Sequence, residues 1–195
     1  MYPLVGASLL SLMIVLERSL FWFILLRRQE AVVKKVLILY RDSLEEAKKR
    51  LELDMDLPIA RIFWSAIALE NPSIEEFRLA LEGALHGEIP MLKRFQNVLD
   101  SIITLSPLLG LLGTVTGLMT AFANIQVGEI TGEKARIVSG GISEALITTA
   151  TGLTIAIFTA ICASIFRGLY QWEIAFIQEY TTRLELYFRR YHAPN

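Results

Sequence analysis

Residues 101–128 read SIITLSPLLGLLGTVTGLMTAFANIQVG, 28 consecutive positions without an ionisable side chain. Residues 145–166, ALITTATGLTIAIFTAICASIF, form a second such run of 22. A helix rises about 1.5 Å per residue, and the hydrocarbon core of a bilayer takes about 20 apolar residues. Both runs are long enough to cross. Lipid cannot satisfy an open backbone N–H or C=O, so each run must be helical. The two runs therefore set the fold class as all-α and membrane-spanning.

Working outward, a third apolar stretch runs from Tyr2 to Leu26 and is closed by Arg27 and Arg28. It has no basic segment before it and no small-residue cleavage site after it, so it reads as a membrane helix rather than a signal peptide. Glu17 and Arg18 interrupt it. They point about 100° apart on a helix, and they mark where the helix leaves lipid or meets protein. Residues 27–100 are different material, with 12 Lys and Arg against 13 Asp and Glu. KKVLILYRDSLEEAKKRLELD has the three- and four-residue apolar spacing of an amphipathic helix. Asn71-Pro72-Ser73 punctuates the segment, and Ser73-Ile74-Glu75-Glu76 has the form of a capping box. A further helical pattern runs from Ile74 towards Asp100, with a kink or break expected at Pro90. The stretch after Arg167 is again amphipathic and reads as a continuation of the third span.

The sequence thus predicts a transmembrane helix at 1–26, a cytoplasmic helical segment at 27–100 and a second transmembrane helix at 101–125. A short outer loop follows at 126–136, then a third transmembrane helix at 137–166 and a cytoplasmic C-terminal helix at 167–195. Arg27, Arg28, Lys34 and Lys35 follow the first span, and Arg167, Arg183, Arg189 and Arg190 follow the third. Basic flanks stay in the cytoplasm, which puts the N-terminus outside and the C-terminus inside.

Composition narrows the function classes. Of 195 residues 53% are apolar and 20% charged, the mean hydropathy is +0.46 and the net charge is −1. Intrinsic disorder is excluded. One cysteine excludes an internal disulfide framework, and the near-zero charge makes no case for nucleic acid. Cys162 reads as a small apolar filler. His86 and His192 lie outside the spans. There is no phosphate-binding loop, no metal-ligand spacing and no nucleophile–base set, so no cofactor, metal or enzymatic activity is expected.

The small residues carry the information. Gly110, Gly113 and Gly117 lie along the second span, and Gly141, Ala145, Thr149, Gly152, Ala156, Ala160 and Ala163 along the third. Small side chains let helix backbones approach in lipid. Close helix packing is one reading; a helical assembly with a narrow interior is the other. Threonines are frequent in both spans, and most should bond back to the carbonyl one turn earlier. Thr114 stands out because it shares a face with Gly110 and Gly117. Glu144 is the single carboxylate within the third span; at a membrane centre such a group costs about 2.5–3.5 kcal/mol on insertion scales, so it should face the bundle interior or water. With so few ionisable groups in spans two and three, any ion path needs acid from another subunit.

SPLLGLLGTVTGLM at 106–119 and GISEALITTATGL at 141–153, together with the Leu16-Glu17-Arg18 step in the first span, resemble the MotA/TolQ/ExbB proton-channel family and in particular its ExbB/TolQ branch. The resemblance covers all three spans in order. It implies a pentamer in the bacterial inner membrane enclosing the single transmembrane helices of an ExbD- or TolR-like partner dimer, which supplies a membrane aspartate. It implies that proton flow drives relative motion of the two components and energises TonB-dependent uptake or Tol-dependent envelope maintenance, with a TonB- or TolA-like protein as a further partner. Thr114 and Thr149 match the family's pore-lining positions and Glu144 its glutamate. Many relatives have a longer outer N-terminus, so contacts with a TonB- or TolA-like protein there are not implied. Two other readings stay open: a related sodium-driven or motility stator, and a membrane scaffold without an ion path.

Overall fold

The computed structural model describes residues 2–123 and 132–192. Six helices follow in order: α1 (Tyr2–Asp42), α2 (Leu44–Leu53), α3 (Pro58–Ile67), α4 (Ile74–Leu92), α5 (Gln96–Ala123) and α6 (Gly132–His192). Among the described residues there is no strand. Three helical stretches, Tyr2–Asp42, Ile74–Ala123 and Val138–Tyr191, are long and apolar enough to cross a membrane. The third span and the C-terminal segment form one helix, as the amphipathic pattern after Arg167 predicts. That helix begins at Gly132, so part of the stretch read as the outer loop is already helical. The end of the second span and the start of that loop, at 124–131, lie outside the described residues.

Two breaks differ from the sequence reading. KKVLILYRDSLEEAKKRLELD is not one helix. α1 ends at Asp42, and Ser43 adopts an extended backbone whose side chain accepts a hydrogen bond from the Glu46 amide. A capping serine resolves open amides at a helix start and so competes with helix continuation. Pro90 does not break α4, which runs two residues past it to Leu92. The interruption between α4 and α5 comes instead at Phe95, whose φ of 64° lies in the left-handed region. At Ser73 the capping box forms in both directions: the Glu76 amide donates to Ser73 Oγ at 3.2 Å, and the Ser73 amide donates to the Glu76 carboxylate at 2.7 Å.

The chain divides into two compact units. The first comprises Met1–Arg18 and Phe95–Phe166. Its packing is thin: Ile14, Val15, Leu99 and Ala163 form a small cluster against which Cys162 rests as an apolar filler. Ser11 and Thr159 hydrogen-bond at 2.7 Å in its interior. Thr159 also donates to the Ile155 carbonyl, which makes Ser11 the donor of that pair. Most of its apolar side chains face outward, including Leu108, Leu112, Val115 and Met119 on α5. Such a surface is untenable in water and natural in lipid.

The second unit comprises Ser19–Arg94 and Arg167–Asn195. It is built around α3, where Pro58, Ile59, Ala60, Ile62, Phe63, Ala66 and Ile67 are all buried. A helix apolar nearly all round belongs in a core. Phe77 of α4 stacks on Phe188 of α6 with ring centroids 4.1 Å apart. Arg61 closes a fork on the Glu88 carboxylate at 2.6 and 2.7 Å.

Candidate functional site

The small residues of α5 and α6 meet. A Cβ placed on Gly152 would collide with the Ser106 carbonyl oxygen and lie 3.2 Å from Gly110 Cα. One on Gly110 would lie 3.0 Å from the backbone of both Thr148 and Thr149. One on Gly113 would lie 2.6 Å from the Thr148 hydroxyl, one on Gly117 3.2 Å from Ala145 Cβ, and one on Gly141 2.7 Å from Ala121 Cβ. Contacts rise in number along α5 as they fall along α6, so the two helices pack antiparallel. On the stretch of α6 from Ala145 to Phe166 the buried positions are Ala145, Thr148, Gly152, Ala156, Thr159 and Ala163. The stripe runs through Thr159 rather than through the smaller Ala160, which is half-buried.

Gly141 and Ala121 form a testable pair. Gly141→Ala alone overpacks the contact, at a cost of about 1–3 kcal/mol. Adding Ala121→Gly removes the opposing methyl, so the double variant should recover most of the loss in a detergent denaturation curve. Equal loss in the single and double variants would sink this pairing.

The hydroxyls separate into two groups. Thr104, Thr116, Thr120, Thr151, Thr154 and Thr159 each donate to the carbonyl four residues earlier in their own helix. This is the local bonding expected of threonine in a membrane helix. Thr151 and Thr154 line an open groove with Leu4 and Ser8 of α1, away from the α5 contact. Thr114 donates to Leu111 O at 2.7 Å. Thr149 is different, because its hydroxyl crosses to α5 and donates to the Gly110 carbonyl at 3.1 Å. Thr148 reaches the same carbonyl at 3.4 Å while donating to Ala145 O at 2.7 Å.

In the α-helical ladder the amide of Thr114 also points to the Gly110 carbonyl. The hydroxyls of the two threonines singled out from sequence thus rest on carbonyls one residue apart on α5, Thr149 on Gly110 and Thr114 on Leu111. Both are half-buried at the edge of the α5–α6 contact. Their hydroxyl oxygens keep lone pairs able to accept a proton donor, since each has placed its own hydrogen on a carbonyl.

Glu144 is exposed, beside the buried Ala145 that packs on Gly117. The described residues give it neither a hydrogen bond nor an ion pair. The structure does not join it to Thr149 within one chain. Sequence reasoning passed over Thr148, whose buried hydroxyl sits in the same contact, and Ser106, whose buried hydroxyl has no hydrogen-bond partner among the described residues. Position on the small-residue face was the available signal for both. Among the described residues no group of His, Cys, Asp and Glu is arranged to hold a metal ion.

Comparison with known proteins matches residues 54–179 to the MotA/TolQ/ExbB proton channel family. The chain is 48% identical to biopolymer transport protein ExbB-like 3 of Synechocystis, over 97% of this chain and 90% of that protein. It is 37% identical to ExbB-like 1 of the same organism, over 97% of this chain and 75% of that protein. To the biopolymer transport protein ExbB of Salmonella typhimurium it is 37% identical over 50% of this chain and 39% of that protein. With three helices able to cross a membrane and small-residue motifs packed face to face, the chain belongs to the MotA/TolQ/ExbB proton channel family.

Proposed function

We propose that this chain is the ring-forming subunit of a bacterial inner-membrane motor that uses the proton motive force. It assembles as a pentamer around an ExbD- or TolR-like single-span partner and energises outer-membrane transport or envelope maintenance of the TonB or Tol type. Its N-terminus lies in the periplasm and its C-terminus in the cytoplasm. The protein carries no chemistry of its own as an enzyme. The observation that supports this reading is the Thr149 hydroxyl crossing from α6 to the Gly110 carbonyl at the edge of a close helix pair, one turn before Thr114 on α5. Family membership supplies the class of task.

The mechanism follows from hydroxyl chemistry. A partner carboxylic acid, while protonated, donates to the Thr149 oxygen and leaves the Thr149–Gly110 bond intact. Once ionised it needs a donor, and Thr149 turns its hydrogen from the carbonyl to the carboxylate. The same exchange is open to Thr114 between Leu111 O and the acid. The hydroxyls thereby follow the charge of the acid without carrying charge themselves, and the small residues leave the helix surface smooth enough for a close-fitting partner helix to move. Glu144, exposed and without a partner among the described residues, contributes to the path or to a contact between copies.

The test is reconstitution of the ring with its partner and measurement of gradient-driven work. A Thr114→Val, Thr149→Val double variant keeps shape and loses both hydroxyls. It should lower the rate on the order of tenfold or more, the weight of one hydrogen bond to a charged group at about 1.5–3 kcal/mol. Undiminished work in the double variant removes the assigned role. Work driven equally by a sodium gradient without a proton gradient would reassign the ion.

A further inference from the structure

The second unit holds a polar pair that the proposed ion path does not use. Gln29 of α1 and Glu173 of α6 are both 0% exposed, and Gln29 Nε2 donates to Glu173 Oε2 at 2.7 Å. Both residues lie beyond the stretches read as membrane spans, at 1–26 and 137–166. The remaining oxygens, Gln29 Oε1 and Glu173 Oε1, are buried without a hydrogen-bond partner.

Counting donors and acceptors points to the missing element. An ionised carboxylate only accepts hydrogen bonds. With Glu173 ionised, two buried acceptor oxygens stay unsatisfied and a charge sits uncompensated in an apolar interior, both costly. One proton on Glu173 Oε1 removes the charge and supplies a donor for Gln29 Oε1. The two side chains then close an amide–acid pair, with N–H to carboxyl oxygen on one side and O–H to amide oxygen on the other.

Among the described residues Gln29 is the one side chain bonded to Glu173, and charged groups elsewhere on these helices and on α3 are engaged with other partners. On α1, Arg28 is held by Asp54 and Asp56, and Glu30 bonds Lys34. Arg61 of α3 is closed on Glu88 of α4. On α6 itself Glu179 bonds Arg183. Burial is the main force on Glu173 and raises its pKa to about 7, against a smaller lowering by the Gln29 amide.

We propose that Gln29 and Glu173 form a proton-gated latch between α1 and α6, closed while Glu173 carries a proton and loosened when it ionises. The latch makes the firmness of this helix pair depend on the pH of the compartment that bathes the unit. The group binds its proton more tightly when folded than when unfolded. Its stabilising contribution is complete below the ordinary value of 4.5 and is lost as pH rises towards about 7. Above that it is flat.

The test uses the full chain in lipid nanodiscs, with melting midpoints measured from below pH 5 to above pH 8. The wild type should lose stability with rising pH across the stated window. Glu173→Gln keeps the shape and presents a permanently neutral pair, so it should flatten that loss and melt higher than the wild type at alkaline pH. A Glu173→Gln variant with the wild-type pH slope, or one that melts lower than the wild type at alkaline pH, overturns the latch. Infrared spectroscopy gives a second reading that does not depend on melting. The wild type should show a protonated carboxylic carbonyl band that titrates near neutral pH and is missing in Glu173→Gln. A wild type without that band below pH 6 also overturns it. Neither measurement needs the partner or a gradient, so the outcome is separate from that of the proposed motor function.

Discussion

Replacing Gly152 with alanine should destabilise the α5–α6 pair by about 3 kcal/mol or more, at the upper end of the cost of overpacking. The added methyl meets the Ser106 carbonyl oxygen and Gly110 Cα. Both are backbone atoms of a helix and have no rotamer to yield. The clash is relieved only by moving one helix away from the other, which gives up the neighbouring contacts of Gly110 and Gly113 as well. Gly83 and Gly87 of α4 are the built-in controls, since a Cβ at either meets nothing within 4 Å. Alanine there should be neutral or raise stability by about 0.5–1 kcal/mol, the helix preference of alanine over glycine. Denaturation of the purified chain in one detergent, with all three variants side by side, checks the prediction. A Gly152→Ala midpoint no lower than those of the two controls would show that the contact is not structural.

Phe77→Ala should be the other severe change, at about 3–5 kcal/mol for removal of a buried phenylalanine. Phe77 is 1% exposed and Phe188 3%, and their rings lie parallel. Losing one leaves a cavity in a core that α3 otherwise fills. Phe188→Ala should cost less when Phe77 has already been removed, because a stacked pair is worth about 0.5–1.5 kcal/mol beyond its area. A double-variant cycle by chemical denaturation measures that coupling. A coupling of zero would mean that the rings pack independently.

Much of the fold was readable from charge-free length alone. Runs of 28 and 22 residues without an ionisable group leave few alternatives to membrane helices. The break at Ser43 was also written in the sequence, since Ser43-Leu44-Glu45-Glu46 has the same Ser-x-x-Glu form as the cap at Ser73. It was overridden because the apolar period of α1 continues through Leu44 into Ala47. The interruption at Phe95 carries no such sign, as phenylalanine does not favour a left-handed backbone. For the candidate site, the glycines were legible because small size has one main use between helices in lipid. The acceptor of Thr149 was not, because it depends on the antiparallel register of two helices joined by a loop. Gln29 and Glu173 are still less visible. They are 144 positions apart, and each looks like the polar face of its own amphipathic helix.

The Gly110 carbonyl gives this chain a built-in optical reporter. Its oxygen takes the main-chain amide of Thr114 and the hydroxyl of Thr149 together. A carbonyl with an extra hydrogen bond vibrates at lower frequency than its neighbours in the same helix. Isotopic labelling of that single group would separate its stretch from the rest of the amide band. If Thr149 turns towards an ionised acid, the labelled stretch rises in frequency at that moment and falls again on protonation. The charge state of the proposed partner acid could then be followed through a backbone atom of this chain.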